Sequence, residues 1–231
     1  MALAIRPPSD ILDLRLMDAL TRSAAPQERT AYVAIETKIV LLEFRPGAML
    51  TEKAIIDAVG IGRTPVREAI QRLTLEGLME VHPRLGVKIA EIRPEDYRRA
   101  VEPRLTLEPL LARSAARYAG PHDRQAILEG GRLMVESARN NDIRGFLYTD
   151  KLVDEILSSA SANPFLPRVL APLQTHSRRF WYQYHGAHGM LECSGYHLRA
   201  CEAIASGDSE RAEQASRQLA EYLFEQAAMI I

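Results

Sequence analysis

Residues 50–89 read LTEKAIIDAVGIGRTPVREAIQRLTLEGLMEVHPRLGVKI, and this stretch decides the fold. A short helix is expected over about residues 52–58, stopped at Gly60. After a tight turn, Gly62-Arg63-Thr64-Pro65-Val66-Arg67-Glu68 opens a second helix that runs to about Glu76. Pro65 suits a first turn, because its missing N–H would be unpaired there anyway. Residues 79–82 and 87–90 read as two short strands closing a hairpin over Pro83-Arg84-Leu85-Gly86. Arg63 and Arg67 lie four apart, so they share one helical face near the positive N-terminal end. The pattern is that of a winged helix-turn-helix, in which the second helix offers its side chains to the phosphates and base edges of duplex DNA.

Outward from this stretch, residues 28–43 carry an apolar stripe of Ala31, Ala34, Ile35, Ile39 and Leu42 that ends at Arg45-Pro46-Gly47. That is the expected first helix of a winged domain over residues 28–90. Before it, residues 1–27 hold Pro7, Pro8 and Pro26 around a short periodic run from Ile11 to Leu20, an extension expected to contain one helix. Residues 91–94 form a linker, with Pro94 suited to the first turn of the next helix. Residues 95–231 show no sustained alternation and break at Gly120-Pro121, Asn140-Asn141, Asn163-Pro164, Gly186–Gly189 and Gly207-Asp208. Six helices are expected, near 95–118, 122–139, 142–160, 164–185, 190–206 and 208–228, with Pro103 and Pro109 bending the first. The fold class is therefore mainly α: three helices and a two-stranded wing, then an antiparallel bundle with a central cavity.

Composition excludes little. Hydrophobic residues make up 47% and charged residues 26% of 231, ordinary for a globular chain. No apolar run is long enough to span a membrane, and the N-terminus lacks a basic-then-apolar secretion pattern. With Cys193 and Cys201 the only cysteines, a reducing cytoplasm is the expected setting. Net charge is −1, yet residues 45–90 hold seven Lys/Arg against five acids. A surplus of two is small for a DNA-binding unit, so placement, and a second copy in a homodimer, must compensate for quantity.

Leu50-Thr51-Glu52-Lys53, the run Gly62 to Ile70, Arg72-Leu73, Glu76-Gly77-Leu78 and the late Gly86 together resemble the GntR family of bacterial transcriptional regulators. Arg104-Leu105-Thr106-Leu107-Glu108-Pro109-Leu110, Asn163-Pro164 and Ala203-Ile204-Ala205-Ser206-Gly207-Asp208 resemble the branch with an all-helical FCD ligand-binding domain. The resemblance implies that Arg63 and Arg67 contact DNA, that Lys53 grips a phosphate where relatives carry arginine, and that Arg84 and Gly86 form the wing tip. Thr64 is placed to cap the second helix or touch a phosphate. Gly62 departs from the family's Ser or Thr and supplies no hydroxyl to cap that helix. Read without the family, Arg63 and Arg67 are solvated arginines near Glu68 and Glu76.

For the helical domain the resemblance implies an effector cavity anchored by Arg104, with Asn163 nearby. Arg104 would take a ligand carboxylate, or else pair internally with Asp150 or Asp154. Asn163 would reach the cavity, or else cap the following helix. In the segment His176 to His185, residues His176, Arg179 and Gln183 share a helical face and are expected to line an acid-binding cavity, with core packing as the alternative. The branch often holds a divalent metal (Zn, Ni or Mn), and the matching positions here are Asp150, Asp154 and His197. The fourth expected ligand falls on Leu219, which binds no metal, so a hydrogen-bonded polar cluster is the competing reading.

The expectation is a homodimeric, ligand-responsive repressor that binds a double-stranded operator and senses a small organic acid. It is not expected to be an enzyme. The reading from another class is a metal-dependent enzyme using Asp150, Asp154 and His197, for which no nucleophile or base stands at a recognisable spacing.

Overall fold

The structure, a computed structural model, describes residues 26–230. The helix expected between Ile11 and Leu20 lies outside them. Helix α1 (Pro26–Val40) buries Ala31, Ile35 and Ile39, which recur every fourth residue on one face. Helix α2 (Glu52–Val59) starts where the Thr51 hydroxyl accepts the Ala54 N–H at 3.1 Å, and it ends at Gly60. Helix α3 (Arg63–Leu75) turns Val66, Ala69, Ile70 and Leu73 inward onto α1. Its N-cap is Gly62, with no side-chain cap, as the missing hydroxyl implies.

The wing is a three-stranded antiparallel sheet of β1 (Met49–Leu50), β2 (Met79–His82) and β3 (Gly86–Ile89), in the order β1-β3-β2. Val81 lies opposite Val87, and Met49 opposite Lys88. Strand β1 was not expected, since two residues are too few to show alternation. It accounts for Gly86, which has φ +123°, where a Cβ would collide with the Leu50 carbonyl oxygen. The wing glycine is therefore needed by the sheet itself.

The remainder is helical: α4 (Pro94–Val101), α5 (Arg104–Tyr118), α6 (Pro121–Arg139), α7 (Ile143–Ala160), α8 (Leu166–Tyr184), α9 (Met190–Ser206) and α10 (Ser209–Ala228). The single helix expected over 95–118 is two, because Pro103 disfavours continuation through the residue before it and offers no N–H. Pro109 stays within α5. Asp142 caps α7 through the Gly145 N–H at 2.9 Å, and Asp208 caps α10 through Glu210 and Arg211. Helix α6 packs tightly on α7 and α9 at Gly130 and Gly131: a Cβ on the first would strike Val153, and one on the second would lie 2.9 Å from Cys201 Cβ. Tyr97, Val101, Ile127, Met134, Phe146, Trp181 and Leu223 belong to one continuous bundle core.

Candidate nucleic-acid interface and bundle cavity

The exposed face of α3 carries Arg63, Thr64 and Arg67, with 72% of the Arg63 side chain and 58% of Arg67 open to solvent. Lys53 on α2 and Arg84 at the wing turn are exposed as well. Arg84 has φ +67° and Gly86 sits within β3. Both arginines lean on one carboxylate that sequence reasoning missed. Glu52 Oε2 accepts from Arg67 Nε at 2.8 Å, and Glu52 Oε1 lies 3.5 Å from Arg63 Nε. The partners named from sequence, Glu68 and Glu76, are not the ones found; Glu76 instead pairs with Arg72 at 2.9 Å and accepts from the Tyr32 hydroxyl at 2.6 Å.

No side chain caps the start of α3, so its first backbone N–H groups join the two guanidinium groups in facing water. Helix dipole, free donors and paired cations make this end attractive to phosphate. An exposed pair such as Glu52–Arg67 adds on the order of 0–1 kcal/mol to stability, so exchanging it for a phosphate or a guanine edge costs the fold little.

Inside the bundle the charges are buried. A small, partly open cleft is lined by Arg104, Phe146, Leu147, Asp150, Ser177, Arg178, Trp181, Cys193, His197 and Leu223. Arg178, buried, donates from Nη1 to Asp150 at 3.0 Å and to Asp154 at 2.7 Å. Arg104 donates to Glu108 at 2.8 Å, and Gln174 donates to the same oxygen at 3.1 Å. The internal pairing foreseen for Arg104 thus exists, but with Glu108 one turn along its own helix.

Burial raises Asp150, yet His197 and Arg178 outweigh it and hold the carboxyl below its ordinary range. Asp154 is pushed up to about 8 by burial and by Asp150 beside it, so near neutrality it keeps its proton. Burial draws the His197 imidazole below its ordinary range, against the pull of Asp150. Burial also raises the Cys193 thiol, which leaves a packing residue and no nucleophile.

The metal expected on Asp150, Asp154 and His197 does not fit this arrangement. His197 Nδ1 comes within 3.5 Å of Asp150, but the Arg178 guanidinium already reaches both Asp150 and Asp154 where the ion would sit. Leu219 is a buried apolar residue where a fourth ligand would stand. Among the described residues no three His, Cys, Asp or Glu side chains gather as a metal site. The enzyme reading named the same three residues, and Arg178 engages two of them.

Three of the expected effector residues are also placed elsewhere. Asn163 Oδ1 accepts from the N–H groups of Phe165 at 2.9 Å and Leu166 at 3.3 Å, so it is engaged in the turn that leads into α8. His176 Nε2 meets the Glu76 carbonyl at 2.9 Å, at the rear of α3. Arg179 Nη2 donates to the Ala90 carbonyl at 2.5 Å, just beyond β3. Both therefore face the winged domain, and the neighbouring Ser177, Arg178 and Trp181 face the cavity. Arg179 is 2% exposed, and burial pulls its guanidinium down to about 10.

A winged helix-turn-helix joined to a helical bundle with a polar cleft is the architecture of a two-part DNA-binding regulator. Residues 27–89 match the model described as "Bacterial regulatory proteins, gntR family", and residues 96–222 match the FCD domain. The chain belongs to the GntR family of DNA-binding transcriptional regulators, in the branch with an FCD domain. It is 30% identical over 143 residues to an HTH-type regulator of Agrobacterium vitis from the TAR-I ttuE-ttuC' intergenic region, spanning 61% of this chain and 84% of that one. A relative from Paenarthrobacter nicotinovorans, named "Probable D-xylose utilization operon transcriptional repressor", is 26% identical across 88% of this chain and 89% of its own. Among solved structures, E. coli McbR/YncC superposes with a TM-score of 0.73 at 15% identity, covering 89% of this chain and 99% of that one, a likeness of fold. Among the described residues no helix is long and apolar enough to cross a membrane.

Proposed function

We propose that the chain is a ligand-responsive repressor acting as a homodimer, with Arg63 and Arg67 of each copy reading operator half-sites. The observation that carries this reading is the exposed guanidinium pair at the uncapped start of α3, held, among the described residues, by the solvent-accessible Glu52. Lys53 supplies a phosphate grip that fixes register without reading sequence, and Arg84 brings a cation to the wing tip. The family supports a DNA operator as partner, and a relative named as a repressor supports the direction of control.

The bundle cleft is the effector site in this reading, with a small organic acid as ligand. Arg104 and Arg178 offer the cations, and both already have carboxylate partners. An incoming acid must displace one, and Asp154 gives way most easily because it holds a proton near neutrality. A ligand changes operator affinity only by favouring one domain placement over another, and a coupling of about 1–3 kcal/mol shifts affinity some fivefold to a hundredfold.

The test has two arms. Selection from randomised duplexes should yield a near-palindromic site whose binding weakens steeply with salt; recovery of no preferred sequence would contradict operator reading. A thermal-shift screen of organic acids should raise the unfolding midpoint with a hit that also alters operator affinity. Stabilising ligands that leave DNA binding unchanged would remove the effector role.

A further inference from the structure

Successive residues of α8 look at two different parts of the molecule, and one hydrogen-bonded path joins them. On the cavity side Arg178 Nη1 serves Asp150 and Asp154. Its Nη2 donates to the Thr175 hydroxyl oxygen at 3.4 Å, and that hydroxyl donates to Glu36 Oε1 at 2.6 Å. Glu36 belongs to α1 of the winged domain and is 2% exposed. Its other oxygen lies 2.6 Å from Lys151 Nζ, on α7, the residue after Asp150. Burial lifts Glu36, and Lys151 with Arg178 outweighs it to hold the carboxyl below its ordinary range. A carboxylate buried this deeply is tolerated only while those cations stay in place.

From Glu36 the path continues to the DNA-facing helix. Tyr32, one turn earlier on α1, donates its hydroxyl to Glu76 at the end of α3, and the Arg72 guanidinium of α3 stacks 3.9 Å above the Tyr32 ring. Ile35 and Ile39 share one packed core with Val66, Ile70 and Leu73 of α3. Because α1 and α3 interlock, α1 cannot shift without carrying α3 with it.

We propose that Arg178 and Thr175 form the link through which the bundle cavity sets the placement of the DNA-binding domain. A ligand that draws Arg178 toward itself, or competes with it for Asp150 and Asp154, removes positive potential from Glu36 and a donor from the Thr175 hydroxyl that serves Glu36. Glu36 regains solvation only if α1 moves outward, and α3 moves with it. Arg178 is in this sense a positioning residue, a resident cation held where its relatives' resemblance implied a metal. The inference rests on the cleft being the effector site.

The test follows amide deuterium exchange in the full-length protein, with no DNA and no ligand, and uses Asp150→Asn to disturb the cavity. Exchange in the α1 peptide around Glu36 and in the last turn of α3 should accelerate about fivefold or more, the scale of an allosteric coupling. The response should vanish when Thr175→Val is added and return with Thr175→Ser, which keeps the hydroxyl. Changes confined to α7, α8 and α9, or a response that survives Thr175→Val, overturn the link. If Asp150→Asn does not fold, Asp154→Ala takes its place with the same readings. Because neither effector nor operator enters this experiment, a metabolite screen that finds nothing counts against the effector reading alone. A confirmed cleft ligand that leaves the Glu36 amides unmoved overturns the link while that reading stands.

Discussion

The cations on α3 and those in the bundle share a chemistry but differ in every consequence of it. Arg63 and Arg67 stand in water against one half-exposed Glu52, so their pairing is weak and exchangeable. Arg104 and Arg178 are buried with Glu108, Asp150 and Asp154, and each depends on its partners for tolerance of the charge. The contrast teaches that exposure makes an arginine available to an outside partner, whereas burial makes it a fixed part of the fold that only a matched ligand can disturb.

The largest expected effect breaks the buried side. Arg178→Met should leave Asp150 and Glu36 short of a cation and cost roughly 3–5 kcal/mol in urea unfolding; a loss as small as that of an exposed pair would erase the contrast. On the exposed side, Arg63→Ala or Arg67→Ala should cost about 1–3 kcal/mol in operator binding and relax base preference. Unfolding stability should stay within about 0.5 kcal/mol of the parent. Titration sharpens the buried side. Asp154 folded holds its proton to about pH 8, whereas an unfolded aspartate releases it near pH 4. Its contribution to stability is therefore fully present below about pH 4 and is lost as pH rises through about 8. Urea midpoints should fall across that window, and Asp154→Asn should flatten the fall; an unchanged slope would show that Asp154 ionises normally. Lys53→Ala should weaken all duplexes alike and lower the salt slope by about one unit, and a loss confined to one base pair would mark Lys53 as a base reader instead. The smallest effect belongs to Glu52→Gln, which frees both arginines; operator affinity should rise slightly while stability moves by no more than about 1 kcal/mol.

The winged half was legible because its signals are local. Thr51 before α2, the missing cap at Gly62 and the four-residue spacing of Arg63 and Arg67 all act within a turn or two of chain. Glu52 was missed because it meets Arg67 across 15 residues, a separation no helical period encodes. The bundle was harder for the same reason. Spacing proposed Asp150, Asp154 and His197 together, but the guanidinium that engages the two carboxylates comes from 28 and 24 residues away. The phase of α8 was also hidden. Thr175, Ser177, Arg178, Arg179, Phe180 and Trp181 are all buried, so no solvated stripe marks which side meets which neighbour. His176 and Arg179 consequently read as cavity residues when they brace the winged domain. The break at Pro103 was read as a bend in one helix because a proline signals interruption without revealing whether the chain resumes its axis.

Arg179 on the Ala90 carbonyl and His176 on the Glu76 carbonyl fasten the DNA-reading unit at both the wing's exit and the rear of its recognition helix. The short connection between β3 and α4 is thus no slack tether. In the homodimer proposed above, two units so mounted would meet their half-sites at a set stagger, and inserting one base pair turns one half-site by roughly a tenth of a revolution. A mounting held at two points resists that rotation, so in such a dimer gap length would weigh on target choice beside the letters on either side of it.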